Sequence, residues 1–199
     1  MKSVNLENYT KEKRTVNLHW ANVFGLIVFI PTFLIFGGLY WLKWGNPFQN
    51  LENSFRDFES LKVMGFSFIV FIICFAVGIV VHELIHGIFF AMFAKNGWKS
   101  IKFGILKEML TPYCHCKEPL KVKHYIIGAA MPGIILGIIP AVIAIITGSL
   151  FLLVFGIIFT VAACGDILII NLLLKENIND LAEDHPSEVG FYIYGKKTA

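Results

Sequence analysis

An all-α polytopic membrane protein with four transmembrane helices is the fold class this sequence predicts, and three observations carry it. Hydrophobic residues make up 56% of the 199-residue chain and charged residues only 16%, with a mean hydropathy of +0.69. That charge deficit excludes an ordinary soluble domain. Long runs almost free of charge recur along the chain, each able to cross a hydrocarbon core of about 30 Å. The Lys and Arg residues, finally, gather in the connections that fall on one side of a four-span layout. The four cysteines, two of them inside apolar runs, do not form the pattern of a secreted disulfide framework.

The chain is read as one membrane-embedded domain, 1–199. A polar N-terminal segment, 1–19, leads into a first span at about 20–42. That run is too long for the apolar part of a signal peptide and no small-residue cleavage site follows it, so it reads as a retained anchor. Trp20, Tyr40, Trp41 and Trp44 suit the two interfaces. The mixed-charge connection 43–62 carries a turn signal at Asn46-Pro47, with Phe48, Phe55 and Phe58 placed to lie on the membrane surface. The second span, about 63–94, measures about 48 Å as one helix, so it must tilt, kink or protrude.

The connection 95–124 is the longest polar one and holds seven lysines. Alternation in Ser100-Ile101-Lys102-Phe103-Gly104-Ile105 predicts a short strand and a β-hairpin turning through Thr111-Pro112. An exposed edge there would let an extended substrate add as a strand. The third and fourth spans, about 125–147 and 150–174, divide at the tight turn Thr147-Gly148-Ser149. Met131-Pro132-Gly133 and Pro140 should bend the third or free backbone carbonyls within it. The tail 175–199 is polar and acidic and reads as a solvated extension.

Fourteen of the 17 Lys and Arg lie in the N-terminal segment, the 95–124 loop and the tail. The positive-inside rule puts those three segments, and both termini, in the cytoplasm.

The chemistry concentrates in Val81-His82-Glu83-Leu84-Ile85-His86-Gly87, inside the second span. On a helix, His82 and His86 project from one face and can grip one metal ion, while Glu83 sits beside it. A carboxylate in that place can take a proton from metal-bound water, whose pKa zinc lowers to about 7. The bland alternative is a pair of core histidines. Three ionisable groups within five residues of a span are costly, by about 2.5 to 3.5 kcal/mol each on the lenient insertion scale, and a metal offsets that cost.

Asp166 is the one charge in the fourth span and needs a partner there. The lysines lie outside the spans, so the metal held by His82 and His86 is the natural candidate; the alternative is a protonated Asp hydrogen-bonded between helices. Two His and one carboxylate leave a position open for water, the pattern of catalytic zinc. All three residues fall about 12 to 18 Å from the cytoplasmic ends of their spans, so they can be level. Cys114-His115-Cys116 is a rival cluster, but it lacks the second Cys/His pair that a closed structural site requires. His124 reads as an interfacial histidine.

Through His82-Glu83-Leu84-Ile85-His86 and Asp166 the chain resembles the site-2 protease class of intramembrane zinc metalloproteases. More narrowly, it resembles a family of small four-span bacterial membrane proteins described as zincin peptidases. That second likeness covers about 63–174, including Tyr113-Cys114-His115-Cys116-Lys117-Glu118-Pro119-Leu120, Pro132 and Gly165-Asp166. It implies a bacterial plasma-membrane enzyme that hydrolyses peptide bonds in or beside membrane spans. Its zinc ligands would be His82, His86 and Asp166, its base Glu83, and its partners a membrane-protein or peptide substrate and the lipid bilayer, with no nucleic acid. It departs from better-studied members at Ile85 and Ile167, where they carry Gly, and in lacking an Asn near Pro132. The sequence names no oxyanion donor and no oligomeric state.

Two other classes compete: a non-proteolytic zinc-binding scaffold or regulator, and a small transporter using the buried His and Asp. The transporter leaves Glu83 unexplained, and no internal repeat is evident.

Overall fold

A computed structural model of the chain describes residues 9–16, 18–46, 58–106, 111–185 and 189–196. Among the described residues, three helices are long and apolar enough to cross a membrane, and a fourth candidate is a bent pair. The first candidate span, Val23–Trp44, comprises the end of α1 (Leu18–Thr32), a π-helical turn over Phe33–Gly37 and α2 (Gly38–Trp44). The second lies within α3 (Phe58–Phe93), an unbroken helix about 54 Å long at 1.5 Å per residue. Phe58 opens α3, whereas Phe48 and Phe55 lie outside the described residues.

The third candidate span, Val122–Thr147, begins as α4 (Val122–Pro132) and continues through a π-helical stretch, Gly133–Ile138, into α5 (Ile139–Thr147). The irregularity begins right after Pro132, whose missing N–H and ring disturb the hydrogen-bond ladder, as the sequence predicts. The fourth candidate is α6 (Leu150–Ala162) followed by α7 (Cys164–Leu173), bent by 44° at Ala163.

The all-α expectation is corrected by two sheets. The predicted hairpin exists as β2 (Ile101–Leu106) paired antiparallel with β3 (Thr111–Cys116), although Thr111 and Pro112 lie inside the second strand and pair with Leu106 and Ile105. A four-stranded sheet was not foreseen. It takes β1 (Tyr9–Thr15) from the N-terminal segment, β4 (Leu120–Lys121) from the central connection, and β5 (Leu181–Asp184) and β6 (Gly190–Lys196) from the tail, in the order β1-β6-β5-β4.

The tail is therefore no solvated extension. Strand alternation puts Ala182, Phe191 and Ile193 on one face, and all three are buried, Phe191 completely. Its acidic composition hid this, because Glu183, Asp180 and Glu188 interrupt the apolar positions.

By packing, the chain divides into two compact units. One comprises Met1–Gly25, Glu83–Pro132 and Ala163–Ala199, with a core of Phe90, Cys116, Leu120, Val122, Tyr125, Ala129, Leu173, Ala182, Phe191 and Ile193. The other comprises Leu26–His82 and Gly133–Ala162. Within it α5 and α6 form a helical hairpin whose turn ends on Gly148 at φ +77°, a left-handed cap that glycine adopts without strain. Tyr40 and Trp44 donate to the carbonyls of Gly148 and Ile145 at 2.7 and 3.0 Å, so both aromatics bind helix ends left open by that turn.

Candidate metal centre

His82 and His86 are one turn apart on α3, on one face by helical geometry alone.

His86 is 7% exposed and its Nδ1 lies 2.9 Å from the carbonyl oxygen of Gly128 on α4. A carbonyl only accepts, so Nδ1 carries the proton and Nε2 of a neutral ring presents its lone pair. That lone pair faces Asp166 Oδ1 at 3.3 Å. Two acceptors cannot rest against each other in a buried place without a cation or a proton between them.

A cation fits. Donors on tetrahedral zinc at 2.0 to 2.1 Å stand about 3.3 Å apart, which matches the His86–Asp166 separation. His82 completes the set, with ligand atoms of all three residues within 4.8 Å of one another. Among the described residues this is the one such group of three or more His, Cys, Asp or Glu. Asp166 reaches it from the first turn of α7, three residues past the bend at Ala163.

Two glycines let neighbouring elements close on α3. A Cβ at Gly128 would stand 2.3 Å from the ring of Phe90, so only glycine brings the α4 backbone near enough for its carbonyl to reach His86. A Cβ at Gly87 would meet the Phe103 ring at 2.5 Å and Ile101 at 3.4 Å. The β2–β3 hairpin thus lies directly on the helix face that Gly87 shares with Glu83, one turn earlier. Phe90 packs almost parallel to the His86 ring, 5.8 Å between centroids at 11°.

Cys114, His115 and Cys116 form no second metal group. Burial pushes the Cys116 thiol up to about 11, and burial with the nearby Asp184 and Glu83 charges pushes Cys114 higher still. Both are held as neutral thiols near neutral pH. His115 Nδ1 stands 3.6 Å from Asp184 instead. His124 stacks on Phe93 at 4.2 Å.

What sequence reasoning missed is the support around the ligands: Gly128, Phe103, Tyr125 and Asp184. A carbonyl has no side-chain signature, and an acid in an acidic tail looks like any other.

Comparison with known families decides the wider relationship. Residues 75–180, just over half of the chain, match the model of a family described as "Putative zincin peptidase". The chain belongs to that family. The matched stretch of this zincin peptidase family member contains His82, Glu83, His86 and Asp166 and stops before β5. No curated protein and no solved structure matches the chain.

Proposed function

We propose that the protein is a zinc-dependent membrane endopeptidase, related to the site-2 protease class, that hydrolyses peptide bonds in or next to membrane spans. The observation that carries this reading is the convergence of His82, His86 and Asp166 donor atoms within 4.8 Å of one another, beside Glu83 on the same helix. Family membership supports the metallopeptidase class.

In this reading His82, His86 and Asp166 hold the ion, and Gly128 fixes the His86 tautomer that leaves Nε2 available. A bound zinc ion supplies Lewis acidity and lowers the pKa of a water it holds to about 7. Glu83 Oε takes the proton of the attacking water and later returns it to the departing amine nitrogen. The β2–β3 hairpin over Gly87 offers an edge on which an extended substrate can add as a strand.

We also place the central connection and both termini in the cytoplasm of a bacterium, supported by the lysine and arginine distribution. The four-stranded sheet supports four crossings. It joins β1, β4, β5 and β6, so the segments around Tyr9, Leu120 and Leu181 share one side of the membrane. An even number of crossings between β4 and β5 keeps those strands on one side, which supports reading the bent pair α6–α7 as a crossing.

The test uses purified protein and a co-expressed membrane substrate. Glu83→Gln should retain zinc while cleavage falls by about 10²- to 10⁴-fold, and Asp166→Ala should lose the zinc. Undiminished cleavage by Glu83→Gln rejects the mechanism.

A further inference from the structure

Asp184, the last residue of β5, lies beyond the end of the family match at residue 180. Its side chain is only 12% exposed and does three things at once. Oδ2 accepts the Cys116 N–H at 2.7 Å, Oδ1 accepts the Tyr125 hydroxyl, and His115 Nδ1 stands 3.6 Å away. A carboxylate suits this place because it offers acceptors on both oxygens and needs no donor.

Two of these partners, Tyr125 and Cys116, lead toward His86. Tyr125 sits on α4 one turn before Gly128, whose carbonyl accepts from His86 Nδ1. Its ring also packs on Phe90 at 5.1 Å, and Phe90 packs on the His86 ring. Cys116 pairs across the hairpin with Ile101, and Ile101 and Phe103 bear on Gly87, the neighbour of His86. The two elements that press on the metal-binding helix around His86 are thus tied to a single carboxylate from the C-terminal sheet.

We propose that Asp184 is a positioning residue for the metal centre, holding α4 through Tyr125 and β3 through Cys116 so that the Gly128 carbonyl keeps the His86 imidazole aimed at the ion. This rests on the metal-site reading above. Outer-shell partners of metal ligands change affinity by about 10- to 100-fold when removed. Asn at 184 keeps one acceptor oxygen and loses the other, and Tyr125→Phe deletes one hydroxyl while leaving the ring packing in place.

The experiment measures zinc dissociation constants of the full chain in detergent, by competition with a chromophoric chelator, alongside thermal unfolding of the metal-free forms. Tyr125→Phe and Asp184→Asn should each weaken zinc about 10- to 100-fold, and the double variant should be no weaker than the worse single one, because both cut the same tie. If Asp184→Asn fails to fold, Tyr125→Phe alone carries the measurement. Zinc binding within twofold of wild type in the folded variants, with lower unfolding temperatures only, reduces Asp184 to a structural tie and overturns the proposal. The His86→Ala variant separates the two levels: zinc lost there but unchanged in the others sinks the positioning role alone. A wild-type chain that binds no zinc sinks the metal reading with it.

Discussion

Glu118 illustrates how one side chain closes a helix end. Its carboxylate accepts the amide of Lys95 at 2.8 Å and the Asn96 side-chain amide, just past the C-terminus of α3. Ser100 Oγ faces the same carboxylate without meeting hydrogen-bond geometry. Partial burial would raise its pKa, but Ser100, the Asn96 side chain and the Lys95 and Asn96 amides outweigh that and hold it below the ordinary 4.5. A depressed folded-state pKa means stability present above the unfolded value and lost as pH falls through the folded one. Glu118→Gln should therefore be less stable than wild type at pH 7, and the difference should shrink as pH drops below about 4.5; unfolding temperatures in detergent from pH 7 to pH 3 measure it. A gap that stays constant across that range would show that the charge is not what closes the turn.

At the scale of elements, small residues decide how closely helices meet. A Cβ at Gly156 would stand 2.6 Å from the Ala141 amide nitrogen and 2.7 Å from the Gly137 carbonyl, and one at Gly137 would stand 2.8 Å from the Thr160 amide. These atoms are backbone and cannot swing aside. Close approach through Gly and Ala is how helices associate where no hydrophobic driving force acts between them. Gly156→Leu should force α5 and α6 apart and cost more than the 1 to 3 kcal/mol typical of overpacking, read as a large fall in unfolding temperature. Ile143→Leu, on an exposed position of α5, should change little. Equal effects from the two would mean that this helical hairpin is not held by its glycines.

For the whole molecule, the unforeseen sheet constrains topology more tightly than hydropathy does. β1 pairs with β6 from Tyr9↔Lys196 to Thr15↔Gly190, which joins a strand from the N-terminal segment to one from the tail. Cysteines placed at Thr10, Lys121 and Lys175, all exposed, should react with an impermeant thiol reagent from one and the same side, above the low background of the four native cysteines. Labelling of Lys175→Cys from the opposite side would leave α6–α7 as a re-entrant element and end the four-crossing reading. The same sheet supplies Ala182, Phe191 and Ile193 to the core that surrounds Tyr125 and Phe90, so the tail is part of the body that carries His86.

Local features were legible in the sequence because their physics is local. Span lengths follow from runs of apolar residues, the turn at Gly148 from its neighbours Thr147 and Ser149, and the shared face of His82 and His86 from a spacing of four. Asp166 could be linked to them only by cost, since a lone carboxylate in a span needs a partner. Tertiary structure alone decided the rest. The Gly128 carbonyl beside His86, the Phe103 ring on Gly87 and the Asp184 carboxylate between Tyr125 and Cys116 join residues 16 to 68 positions apart. Strand partners drawn from opposite ends of the chain leave no periodic trace, because pairing depends on which backbones meet and not on any one segment's composition.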